Sequence, residues 1–170
     1  MKTGSKPIIA ALLLFASGVL YANENDSGNR DFYGEIGYLP LVVHLPYNVK
    51  LEPQLARYVL GLRLKENLDF EGMVGATTDG DKSVRATIGG LYMKPKLAIT
   101  QSTTFFMRIG ANRTLLDERA SGSLTRLAYG YGLQTKIDDN LYCQVDYMHF
   151  GSTNSQRSVQ GATISLGVIF

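Results

Sequence analysis

Two short stretches of this sequence hold residue types that could do nucleophilic chemistry. In HFGS, His149 precedes Ser152 by three positions, and a serine becomes a nucleophile when an adjacent imidazole takes its proton. The plainer use of His149 is an imidazole at lipid headgroup level with its polar edge in water. In PLVVHLPYN at 40–48, His44 lies in an unusually apolar segment. That segment fits a contact with lipid, with a partner protein or with a neighbouring loop, and equally a strand extended above a membrane. Cys143 is the sole cysteine, so no intramolecular disulfide can form. The NRT at 112–114 matches a glycosylation acceptor but reads as loop. No zinc, haem or nucleotide motif stands out, so neither a metal nor a cofactor is expected.

A third group of residues is notable for charge. Glu35, Arg57, Arg63, Asp69, Glu71, Arg85, Arg108, Arg126 and Asp146 recur at intervals through an otherwise apolar and glycine-rich chain. Their spacing makes sense once the elements that carry them are drawn.

Those elements are strands, because apolar and polar residues alternate with a period of two. Eight such stretches fall near 32–40, 52–64, 68–78, 83–93, 102–112, 124–135, 140–150 and 161–170. Each is close to the roughly 9–11 residues that a tilted membrane-crossing strand needs. One face is apolar: Tyr58, Leu60, Leu62 and Leu64 on the second strand; Val84, Ala86, Ile88 and Tyr92 on the fourth; Phe105, Met107 and Ile109 on the fifth. The nine charges share the opposite parity, interleaved with small or polar residues such as Gly61, Thr87, Gly89, Gly130, Gly132, Gln144 and Ser165. A soluble sandwich would turn its apolar face inward and its charges to water, and that arrangement stays open at this stage. In a membrane barrel the order is inverted. With eight strands the lumen is only wide enough for side chains to fill it, so acids and bases must pair there to offset desolvation. Such a barrel is a plug more than a channel.

The connections fit two unlike ends. KEN at 65–67 and KIDDN at 136–140 are short, and PKLAITQS at 95–102 falls at the same end; the connections near 41–51, 79–82, 113–123 and 151–160 are mostly longer and would be surface loops. Ahead of the strands, Lys2 and Lys6 precede an apolar run from Ile8 to Ala16 and small residues ending at Ala22, the build of a secretory signal. The run is too short for a permanent membrane helix, although a retained anchor is the alternative. The expected division is a signal peptide at 1–22 and one β-barrel domain at 23–170. Without the signal the formal charge falls from +2 to zero, which gives no reason to expect nucleic acid as a partner.

The chain ends in GATISLGVIF, with Ile164, Leu166, Val168 and the terminal aromatic Phe170 on one face. This ending resembles the signal by which the outer-membrane assembly machinery recognises its clients. Together with YGYGLQTKIDDNLYCQVDYMHFG at 129–151 and KLAITQSTTFFMRIGANR at 96–113, it resembles the transmembrane domain of the OmpA, OmpX and opacity-protein superfamily. The resemblance implies an eight-stranded antiparallel up-and-down transmembrane barrel in a bacterial outer membrane, with Arg108, Gln144 and Asp146 in an internal ion network. The chain departs from the family in having no Trp, so an interfacial girdle would have to be Tyr and Phe.

The resemblance also sharpens the catalytic question. Barrel enzymes that deacylate lipid A carry a His and a Ser separated by one residue and followed by Asn, which HFGS does not match. Barrel palmitoyl transferases place a His on an early loop, as His44 would be, with Asp and Ser partners that are not identifiable here. The expected function is therefore a non-enzymatic membrane anchor whose loops serve adhesion, surface protection or envelope stability. Its partners would be outer-membrane lipid and lipopolysaccharide, the assembly machinery, and an external protein or host-surface ligand. A lipid A-modifying enzyme of deacylase or acyltransferase type and a narrow gated pore are the alternatives.

Overall fold

The structure, a computed structural model, describes residues 32–45, 49–78, 86–116, 122–153 and 157–170; the expected signal peptide at 1–22 lies outside them. The described chain is all strand and turn: β1 Phe32–Leu45, β2 Val49–Leu51, β3 Gln54–Lys65, β4 Leu68–Thr77, β5 Ala86–Ala98, β6 Thr103–Leu116, β7 Gly122–Lys136, β8 Leu141–Thr153 and β9 Arg157–Ile169. β2 pairs with the outer end of β1 through His44↔Lys50. β3 takes over that pairing beyond Glu52 and Pro53 through Leu39↔Leu55, so the two form one stave. Sequence neighbours pair antiparallel all round, and β1 meets β9 from Tyr33↔Ile169 to His44↔Ser158. The result is a closed eight-stranded up-and-down barrel, which leaves no free sheet edge and pairs every stave's backbone.

Three tight turns share one end. Glu66 and Asn67 join β3 to β4. Residues 99–102 join β5 to β6, with Thr100 Oγ1 accepting from the Thr103 amide at 2.9 Å. Residues 137–140 join β7 to β8, with the Ile137 amide donating to the Leu141 carbonyl at 2.8 Å. Phe32 and Phe170 meet at this end too, the Phe170 amide donating to the Phe32 carbonyl at 3.0 Å. In barrels of this kind the short turns face the periplasm and the longer loops face outside, which fixes the orientation used below.

Several strands outrun their expected limits. β1 continues to Leu45, so His44 sits on a strand and not in a loop; Leu41 and Val43 turn into the lumen, which accounts for the apolar character of that segment. β5 passes through Pro95 to Ala98, where a connection was expected. Pro95 points outward, and the β5–β6 pairing skips from Met93↔Ile109 to Lys96↔Phe106. The missing N–H therefore interrupts the ladder without ending the strand.

One face assignment is reversed. On β5 the lumen receives Ala86, Ile88, Tyr92 and Lys94, while Thr87, Leu91, Met93 and Pro95 face outward. The sequence had placed Ala86, Ile88 and Tyr92 on lipid. The cause is the composition of the lumen, which has two tiers. The periplasmic half is charged, whereas the outer half is filled by Leu41, Val59, Met73, Ile88, Met148 and Phe150, among others. An apolar residue on β5 therefore carries no information about which way it points.

Candidate functional site

The charged tier draws one or two groups from nearly every stave. Glu35 comes from β1, Arg57 from β3, Glu71 from β4, Lys94 from β5, Arg108 from β6, Gln144 and Asp146 from β8 and Ser165 from β9; all are buried. Arg57 donates through both terminal nitrogens to the two oxygens of Asp146, each at 2.7 Å, and Nη2 also reaches Ser165 Oγ at 2.8 Å. Arg108 grips Glu71 through Nε and, at 3.1 Å, through Nη2. The same Nη2 lies 3.1 Å from Glu35 Oε2, and Nη1 lies 3.1 Å from Asp146 Oδ2. Lys94 Nζ sits 3.0 Å from Glu71 Oε1 and 3.3 Å from Glu35 Oε1, and donates to Gln144 Oε1 at 3.1 Å. Its ammonium also stands 4.5 Å from the centre of the Phe106 ring, an attractive cation–π arrangement.

Two tyrosines complete the cluster. Tyr33 donates to Glu71 at 2.6 Å and Tyr142 to Glu35 at 2.9 Å. Each ring lies over its directly paired cross-strand neighbour, which has no side chain. A Cβ on Gly61 would run into the Tyr33 ring, and one on Gly167 into the Tyr142 ring. Within this cluster three cations meet three carboxylates, and every carboxylate oxygen has a donor. Such an arrangement stabilises its own charges and leaves no carboxylate free to act as a general base. Among the described residues no group of His, Cys, Asp and Glu is set to hold a metal ion.

Of the nine charges read from the sequence, Glu35, Arg57, Glu71, Arg108 and Asp146 come together. Asp69 instead pairs with Lys96 at 2.6 Å nearer the turns. Arg63 is half-buried beside them and in no ion pair among the described residues. Arg126 has the inward parity yet is exposed; it is not in the network. Arg85 lies outside the described residues. Sequence reasoning missed Lys94, Tyr33 and Tyr142. Lys94 fell between the strand drawn to 93 and the connection drawn from Pro95, and the tyrosines announce themselves only by standing opposite glycines once the register is known.

The two histidines lie at the loop end on either side of β9. His149 rests against the Tyr129 ring, centroids 5.1 Å apart, and His44 Nδ1 is 3.3 Å from Ser158 Oγ. Between His149 and Ser152 the pairing with β9 shifts register, and Gly151 takes a φ of 122°, a conformation that favours glycine.

Outside, the arrangement is inverted relative to a soluble protein. Ile164 is 62% and Leu127 67% exposed while Arg57 is 0% exposed, an order that only a lipid environment favours. Fold and lipid belt together define a transmembrane barrel of the bacterial outer-membrane type. No family model matches the chain, and no curated protein does. Among solved structures it is similar to Neisserial surface protein A, at 16% identity and a TM-score of 0.62, covering 82% of this chain and 97% of that one. It is similar to Ail, the attachment invasion locus protein of Yersinia pestis, at 17% identity and 0.61, covering 82% and 98%. The N-terminal β-barrel domain of Pseudomonas aeruginosa OprF follows at 11% and 0.57, covering 80% and 97%.

Proposed function

We infer that this chain is exported with residues 1–22 as its signal peptide, is inserted into a bacterial outer membrane, and serves there as a non-enzymatic anchor that presents its loops to the exterior. The observation that carries this reading is the filled lumen. A charged tier whose carboxylates are all paired lies beneath a largely apolar tier, so the interior gives the barrel rigidity and offers no wet path for solutes. What such a molecule can offer a partner is then its loop end, for adhesion, surface protection or envelope stability. Two solved neighbours bear names that fit this reading, a surface protein and an attachment invasion locus protein; Ail has also been seen with the heparin analogue sucrose octasulfate.

The test is in two parts. Outer-membrane fractions should contain a protein whose electrophoretic mobility changes on heating, with a mature N-terminus at Asn23 by mass. Replacing the four loops by short turns should then abolish attachment of expressing cells to host cells or sulfated glycans while the heat shift persists. Unchanged attachment would sink the loop-display reading. The enzyme alternative, resting on His149 or His44, predicts altered lipid A mass spectra in cells carrying the gene.

A further inference from the structure

At the periplasmic mouth of the lumen the charges do not balance. Below the charged tier the inward side chains include Arg63 of β3, Asp69 of β4 and Lys96 of β5, with Lys136 of β7 exposed at the rim. Asp69 stands opposite Arg63 in the register, yet its carboxylate turns the other way, to Lys96 at 2.6 Å. Arg63 is close enough to repel Lys96 through space, and its half-buried side chain keeps a buried Nε with no partner among the described residues. One carboxylate thus serves two cations. A cation held against the lumen wall needs a counter-charge to offset its lost hydration.

The other acids at this end do not supply it. Glu66, Asp138 and Asp139 stand exposed in the turns, and among the described residues none is in an ion pair with Arg63. Phe170, with the terminal carboxylate, follows β9, on the far side of β1 from β3. The register of β1 offers a nearer group. Phe32 stands opposite Leu62 and Tyr33 opposite Gly61, so the position one residue before Phe32 falls opposite Arg63. The residue there is Asp31. It ends the stretch NENDSGNRD at 23–31, which lies outside the described residues and in which Glu24, Asp26 and Asp31 outnumber Arg30. A stretch of that length reaches at most about 30 Å, whereas eight tilted staves about 4.8 Å apart close into a mouth of roughly 16 Å. Glu24 and Asp26 are therefore within reach of Lys96 and Lys136.

We propose that the acidic segment 23–31 docks on this basic periplasmic mouth, with Asp31 continuing β1 by one residue to pair with Arg63 and with Glu24 and Asp26 facing Lys96 and Lys136. The barrel is then closed from below by its own N-terminal segment. Opposite charges directly across neighbouring strands attract where like charges repel, and a segment tethered to the first stave meets the mouth at high effective concentration. The proposal rests on the export and membrane reading above, which leaves residues 23–31 on the mature chain at the periplasmic end.

The experiment is disulfide trapping in the full chain with Cys143 replaced by Ser. Paired positions on neighbouring strands have Cα separations that a disulfide can bridge. D31C/R63C should therefore oxidise to an intramolecular crosslink, whereas R30C/R63C, one step out of register, should stay reduced. A charge cycle in the otherwise native chain is the second reading. Asp31→Asn and Arg63→Gln should each lower the urea midpoint of the heat-shifted form, and the double variant should fall no further than either. Crosslinking of both cysteine pairs alike, crosslinking of neither, or additive losses in the charge cycle would overturn the proposal. So would a loss on Arg63→Gln that Asp31→Asn does not share, because another carboxylate would then be the partner. A wild type without any heat shift would overturn the membrane reading itself, whereas an intact heat shift with Asp31 and Arg63 uncoupled overturns the docking alone.

Discussion

Arg57 and Asp146 face each other across the lumen from β3 and β8 and join as a fork, both contacts at 2.7 Å. The contact joins residues 89 positions apart in the sequence, and the bidentate geometry is the strong form of an ion pair. Both groups are fully buried, so the pair's value lies mainly in what its loss would leave behind.

Removing one partner should therefore cost more than removing both. Arg57→Ala leaves Asp146 with only Arg108 nearby, and a loss of about 3–5 kcal/mol is expected, the usual consequence of stranding a buried charge. The double variant R57M/D146L exchanges the pair for apolar volume and should cost less than either single change. Urea titration of the folded fraction in detergent, read by heat-dependent mobility, gives the comparison; equal costs for single and double variants would mean that the charges are not buried together.

The glycines under the tyrosine rings make a second test. Gly61→Val must push the Tyr33 ring away from Glu71, and overpacking of this kind costs about 1–3 kcal/mol. Gly89 is the control, because nothing lies within 4 Å of where its Cβ would be. Gly89→Ala should be neutral or stabilising by roughly 0.5–1 kcal/mol, since glycine in a strand interior is costly. The same urea midpoints decide it.

The apolar tier bears on conductance. Neutralising Arg108 or Glu71 would open an ordinary charge-gated pore, but here Tyr92, Met148 and Phe150 still fill the lumen on the loop side. Planar bilayers with wild type, Arg108→Ala or Glu71→Gln should all be silent. Discrete channel steps from any of them would show that the apolar tier does not close the path.

How much of this was legible in the sequence depends on which half of the lumen is asked about. In the charged half, parity suffices: Glu35, Glu71, Arg108 and Asp146 stand out against apolar neighbours, and their staves read correctly. In the apolar half both faces of a stave can be hydrophobic, so β5 was turned inside out and Lys94 was lost with it. Pro95 compounded the error by resembling the end of a strand. Strand ends at the loop side were drawn short for a related reason. Above the lipid belt outward residues become polar, as at Gln160 and Ser158, and the alternation fades while backbone pairing continues.

The C-terminal residue allows stability to be separated from recognition. Within the fold Phe170 contributes little: one amide bond to Phe32 at 3.0 Å and a half-exposed ring over Gly34. A single hydrogen bond of this kind is worth about 0.5–1.5 kcal/mol, so deleting Phe170 should scarcely alter the urea midpoint of protein refolded into detergent. If the aromatic end is instead read by the assembly machinery, as its likeness to other client termini suggests, the same deletion should lower the heat-shifted fraction in outer membranes severalfold and send chain to periplasmic degradation. The two measurements on one variant discriminate. Loss in cells with normal refolding assigns Phe170 to assembly, whereas parallel loss in both would make it a structural residue of the β1–β9 seam.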